Sequence, residues 1–211
     1  MEPACNLHAV QRTVAKSERD GRPTRAVALV RTYETSVVNL WDAVTNAERI
    51  ARWFLPVSGE LKLGGRYQLE GNAGGTITAC EPPTHLALTW EFADDVSWVE
   101  VDVADARAGQ ARLMLTHVFC DSPHYTEYGP GATGVGWELG LVGLAIHLER
   151  PEEPMFDEAE LMASPQGKAF ISGSSNGWAQ AAIKNGEDAA AARAAAERTA
   201  AFYRGEPNEP G

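Results

Sequence analysis

The tightest constraint on this chain lies beyond Pro56, in six short strand-like runs at 57–62, 65–70, 75–81, 85–92, 97–104 and 110–119, each bounded by Gly, Pro or Asp. Turns at such short intervals leave no room for the crossovers that parallel strands require, so the runs predict an antiparallel meander. Two of them alternate cleanly. Leu86, Leu88, Trp90 and Phe92 share a face opposite His85, Thr89 and Glu91, and Val99, Val101 and Val103 oppose Glu100 and Asp102. A sheet of this kind has one dry side to cover. The stretch Val135 to Leu148 is the long apolar helix available, with Trp137, Leu141, Leu144 and Leu148 at i, i+4, i+7 and i+11. The expected class is α+β, with that helix across the sheet.

The flanking residues complete one unit. A Val- and Leu-rich strand is expected over 26–34. Ser36 caps a short helix carrying Val37, Leu40, Trp41 and Val44, and Thr45 with Glu48 has capping-box spacing for a second one carrying Ile50 and Trp53. Residues 1–24 are polar, without amphipathic period, and are expected to form a disordered leader to a domain over 25–150. Residues 151–205 read as a helical extension. Ser164 and Pro165 open a helix with Phe170, Ile171, Trp178 and Ile183 that Asn185 and Gly186 close. A second helix begins at Glu187, with nine alanines between 189 and 201 and an aromatic end at Phe202 and Tyr203. A disordered tail is expected over 206–211. Phe170, Trp178 and Phe202 must bury somewhere, either on the same chain or in a homodimer.

Composition narrows the function classes. The 211 residues are 44% hydrophobic, enough for a core without staples, and 18 Lys plus Arg against 29 Asp plus Glu give a net charge of -11. Such a field repels phosphate backbones, so nucleic acid is excluded as a partner. Val135 to Leu148 is too short for a bilayer and is interrupted by Gly136, Glu138, Gly140 and Gly143, so no membrane insertion is expected. Cys5, Cys80 and Cys120 are odd in number and widely spaced, as in reduced cytoplasmic proteins, and the first residues hold no apolar core of a secretory signal.

Trp41, Ala43 and Trp53 in the helical pair, Gly64-Gly65-Arg66-Tyr67, Gly75-Thr76-Ile77, Glu81-Pro82-Pro83, Leu86, Thr89-Trp90, Leu113 to His117 and Gly136-Trp137 succeed one another in a recognisable order. In this the chain resembles the homologues of the activator of the Hsp90 ATPase, within the SRPBCC superfamily. That superfamily also holds START lipid-transfer domains, Bet v 1-like plant allergens and aromatic polyketide cyclases. The resemblance covers about residues 25–150. It implies the helix-grip fold, a curved seven-stranded antiparallel sheet around one long helix, plus a C-terminal helical hairpin like the extensions on some bacterial members. The superfamily uses the space between sheet and helix for storage, transfer, sensing and catalysis, so the fold alone does not choose among them.

The concavity is therefore the candidate site, either filled by side chains or left as a pocket. Gly136, Gly140 and Gly143 either bring the helix close or leave room. Trp53, Tyr67, Trp90, Trp98, His117, Tyr125, Tyr128, Trp137 and Leu141 are the candidate ligand-binding residues, suited to a small hydrophobic ligand; large aromatics are also ordinary core formers. Period-two counting puts His117 on the inward face with Leu113, Leu115 and Phe119, where an imidazole can orient a carbonyl or carry a proton; a structural histidine bonded to main chain is the alternative. Glu138 is the second candidate proton carrier, although a first-turn carboxylate also suits a helix dipole. Tyr125 and Tyr128 sit in a loop over 121–133 that suits an entrance lid. His117, Cys120, Asp121 and His124 do not match a zinc spacing, and Gly64-Gly65 and Gly74-Gly75 lead into no phosphate-binding helix, so neither metal nor other cofactor is expected. The expected function is binding of a small apolar or amphipathic ligand. The alternatives are a cofactor-independent cyclase or hydrolase using His117 and Glu138, and an Hsp90-type co-chaperone. The last is disfavoured because residues 1–24 are too short to supply the chaperone-binding domain of the eukaryotic activators.

Overall fold

The computed structural model describes residues 7–155 and 157–206, and it begins with a hairpin. Strand β1 (Val10–Arg19) buries Val10 and Val14, turns at Asp20 and Gly21, and returns as β2 (Arg22–Tyr33). Asp20 and Gly21 have φ of 53° and 72°, the left-handed pair that closes two-residue hairpins with the twist of the strands. The expectation of a disordered leader over 1–24 is thus corrected for the described part. Asp-Gly is a strong hairpin signal, and Val10, Arg12 and Val14 share one side of the strand in front of it. The first residues of the leader and the tail over 207–211 lie outside the described residues.

After β2 come α1 (Val37–Thr45) and α2 (Ala47–Ile50). Ser36 caps α1 as expected, accepting from the Asn39 amide. The cap of α2 is Asn46, which accepts from the Glu48 amide, while the Thr45 hydroxyl donates to Trp41 O. The capping box expected at Thr45 therefore does not form. The next strands are β3 (Val57–Gly59), β4 (Arg66–Leu69), β5 (Gly74–Glu81), β6 (His85–Phe92), β7 (Asp95–Arg107) and β8 (Gln110–Cys120). All five consecutive pairs among them are antiparallel, so the meander is as the spacing predicts. The sheet order is β1-β2-β8-β7-β6-β5-β4-β3. It has eight strands where seven are expected, because β1 joins it.

The segment expected as an open loop contains α3 (Pro123–Tyr128), whose Ser122 cap accepts from the Tyr125 amide with Pro123 at the first position. Beyond it lie α4 (Gly131–Glu149), α5 (Glu158–Ala163), α6 (Pro165–Lys184) and α7 (Ala189–Tyr203). Ser164, Pro165 and Asn185 bound α6 as the sequence predicts. Ala179 and Ala182 of α6 interlock with Ala192 and Ala196 of α7, with Ile183 against them. Small side chains let the two backbones approach, and the high helix propensity of alanine holds the second helix. Helix α4 is not a one-sided stripe: Val135, Leu139, Leu141, Val142, Leu144 and Ala145 are all buried.

Two compact units emerge. Within the described residues the first comprises 7–29, 120–142 and 157–206, and the second comprises 30–119 and 143–155. Neither coincides with a 25–150 domain plus appendage, since the α6–α7 hairpin shares its unit with β1 and the first part of α4. Phe170 and Trp178 are buried within the first unit, and Phe202 stays 59% exposed. Trp178 lies where a side chain on Gly134 would stand, 2.1 Å from its position, so this glycine serves close approach of α4 and α6.

Candidate functional site

In the second unit, register decides which candidates meet. Trp90 of β6 stands opposite Ser97 of β7, and Val99 of β7 stands opposite His117 of β8. These residues, with Leu88 and Phe119, occupy one face of three neighbouring strands. The His117 ring lies 5.8 Å from Trp90 and 5.7 Å from Phe119, the latter edge to face. Its Nε2 is 2.8 Å from Ser97 Oγ, and Ser97 in turn donates to Trp90 O at 3.1 Å. Since the Ser97 proton is engaged with that carbonyl, its oxygen accepts from Nε2–H, which places a proton on Nε2. Burial pushes the imidazole down to about 4, because charging it would require hydration that the strip denies. Leu88, Trp90 and Phe119 keep partial exposure, whereas His117 is buried. The result is a half-open aromatic strip holding one neutral imidazole.

Other candidates are placed elsewhere. Trp98 pairs with Thr89 and Val118, on the face of β7 opposite to Ser97 and Val99, so it does not join His117. Alternation carries that signal, because position 98 has the parity of Glu100 and Asp102. Phe92, expected on the dry face, is 56% exposed at the end of β6. Tyr67 is buried and donates its hydroxyl to Thr89 O at 2.8 Å; burial raises its phenol. Trp53 donates Nε1 to Ala43 O at 2.9 Å, which pins the turn after α2 to α1, and stacks on Phe54. Both polar handles are engaged with main chain.

In the first unit, Glu138 is 1% exposed and receives Arg12 Nε at 2.7 Å and Nη2 at 2.6 Å, a two-pronged pair between α4 and β1. Helix α4 starts at Gly131, so Glu138 lies in its third turn, beyond the reach of the helix-dipole explanation. Its partner sits in the segment expected to be a leader. Tyr125 is likewise enclosed: its hydroxyl donates to Glu187 at 2.8 Å, and Arg25 lies 4.6 Å over its ring while bonding Asp121 and Glu187. Tyr128 packs between His124 and Phe202 at 4.9 and 5.8 Å. Leu141 is buried and Trp137 half-buried in α4. Among the described residues no group of three or more His, Cys, Asp or Glu side chains is arranged to hold a metal ion, and no helix is long and apolar enough to cross a membrane.

Sequence reasoning missed Ser97, Arg12, Arg25 and Glu187. Parity on β7 was the available signal for Ser97. The other three pair across long stretches of chain and leave no local trace.

Several known proteins resemble the chain. The family model described as Activator of Hsp90 ATPase homolog 1-like protein matches residues 34–149. The solution NMR structure of CalU16 from Micromonospora echinospora is 28% identical, covers 84% of this chain and 97% of its own, and superposes with a TM-score of 0.70. The crystal structure of CalU16 gives 27% identity, 83% and 99% coverage, and a TM-score of 0.64. That coverage exceeds what 34–149 can hold, so the likeness extends outside the family match. A conserved protein of unknown function from Enterococcus faecalis, EF2215, shares the fold at 16% identity, 89% and 97% coverage, and a TM-score of 0.60. No curated protein matches the chain.

Proposed function

Because the chain belongs to the Activator of Hsp90 ATPase homolog 1-like family, within a superfamily of ligand-binding folds, we propose that it is a receptor for a small apolar or amphipathic molecule. The molecule lies against the strip formed by Leu88, Trp90, His117 and Phe119. The observation that supports this is the pairing of half-exposed aromatic surface with a single buried imidazole held neutral beside Ser97. An apolar body gains by covering the rings, and the neutral imidazole sets no charge against it. The setting is the cytoplasm, in keeping with the free thiols of Cys80 and Cys120.

The depressed imidazole favours binding over proton-transfer catalysis. A group that titrates near 4 is charged in only about one molecule in a thousand at pH 7, and as a base it is weak. Glu138, the other candidate carrier, has both oxygens engaged by Arg12.

Native mass spectrometry of the freshly purified chain tests the proposal. The expected result is a co-purifying small molecule, or adducts with added decanoate or a flavonoid, that weaken about tenfold or more in Trp90→Ala. Absence of any adduct across lipids, aromatic polyketides and flavonoids would overturn it.

A further inference from the structure

A second constellation, independent of the strip around His117, lies in the second unit where α1, α2 and the C-terminal end of α4 line a cleft of about 700 Å³. Arg49 is fixed there. Its Nη1 donates to Asn39 O, Asn39 Oδ1 and Asp42 Oδ2 at 3.1, 2.9 and 2.9 Å, and its Nε donates to His147 Nε2 at 3.2 Å. An arginine Nε–H only donates, so His147 Nε2 presents a lone pair and the ring is neutral with its proton on Nδ1. His147 is 5% exposed, and that Nδ1 is buried without an acceptor among the described residues.

Stability does not explain such a ring. A phenylalanine would fill similar space without leaving a donor unpaired. What the imidazole achieves is orientation, since the Arg49 guanidinium is held at two points: Nε on the ring, Nη1 on α1. Arg52, one turn along, lines the same cleft and is steadied by donating Nη1 to Pro151 O at 2.9 Å. Burial and the two cations hold His147 below its ordinary range, which preserves the accepting lone pair.

We propose that this cleft binds the carboxylate of a small monocarboxylic acid, with Arg49 and Arg52 as donors and His147 as a positioning residue. Arg52, bonded through Nη1 alone, keeps its Nε and Nη2 edge as a fork for a planar carboxylate, and Arg49 adds a single donor from Nη2. Charge limits the ligand. Asp42 already pairs with Arg49, and Glu48 and Glu152 line the cleft from exposed positions. Two arginines against these three carboxylates leave the cleft one negative charge in excess, so a monoanion seated on the guanidinium groups is repelled less than a phosphate dianion. Leu148 and Pro151 offer apolar wall to a short hydrocarbon body.

Titration calorimetry of the full chain with benzoate, acetate and inorganic phosphate provides the test. Benzoate saturates, phosphate binds several-fold more weakly, and Arg52→Ala weakens benzoate by about tenfold. His147→Phe weakens it similarly, and His147→Gln, whose amide oxygen can accept from Arg49, recovers most of the loss. No saturation by benzoate, phosphate equal to or tighter than benzoate, or unchanged affinity in Arg52→Ala would each overturn the assignment. Arg52 is exposed, so that variant decides the matter even where His147→Phe fails to fold.

Discussion

His117 and His85 titrate in opposite senses, and each sense arises from surroundings. Burial holds His117 at about 4 in the folded chain against an ordinary value near 6.5 when unfolded, so the unfolded state takes up the extra proton as pH falls between these values. Folding should lose roughly 2 kcal/mol from this one group between pH 7 and pH 5, and denaturant titrations should show the loss disappear in His117→Gln. His85, hydrogen-bonded to Asp102 across β6 and β7, is raised instead. Its contribution is present below its unfolded value and fades as pH rises through the folded one, and solvent keeps it small. NMR titration of the two rings separates them. Ala93, at φ 51°, holds a conformation that costs an L side chain, so Ala93→Gly should stabilise by about 0.5–1 kcal/mol in chemical denaturation. At this scale, alternation revealed that His117 shares a face with Leu113 and Leu115. It could not reveal that Nε2 meets Ser97, because that depends on the β7–β8 register, nor that Arg12 engages Glu138 across 126 positions.

Among the elements, β1 carries the sharpest consequence. Were the N-terminal segment a dispensable leader, Val14→Ala would be silent. As a strand residue 3% exposed it should cost about 1–3 kcal/mol by thermal or denaturant melting. Glu138→Ala should cost more, about 3–5 kcal/mol, since it strands the Arg12 guanidinium in a nearly enclosed position. Elements with local signals were legible: the β3–β8 meander from Gly, Pro and Asp punctuation, α6 from Ser164-Pro165 and Asn185. β1 and α3 had signals of the same kind, Asp20-Gly21 and Ser122-Pro123, which the polarity of their surroundings outweighed. Helix α4 misled in another way. Its expected apolar stripe is real, but further apolar positions are buried too, so no single face is marked by its sequence.

For the molecule as a whole, the chain packs as two compact units, and α4 and β2 each contribute to both. Composition does not encode this division, because it depends on which distant segments pack together: β1 with α6, α3 with α7. The proposed ligand-binding surface is the strip in the second unit. The most direct measurement is a heteronuclear NMR titration of the His117 ring and the Trp90 indole with decanoate and a flavonoid. A binding strip predicts saturable shifts of both signals, with the His117 ring still protonated on Nε2 alone at pH 7. Rings that stay unperturbed by every ligand, or a His117 already charged at neutral pH, would contradict it.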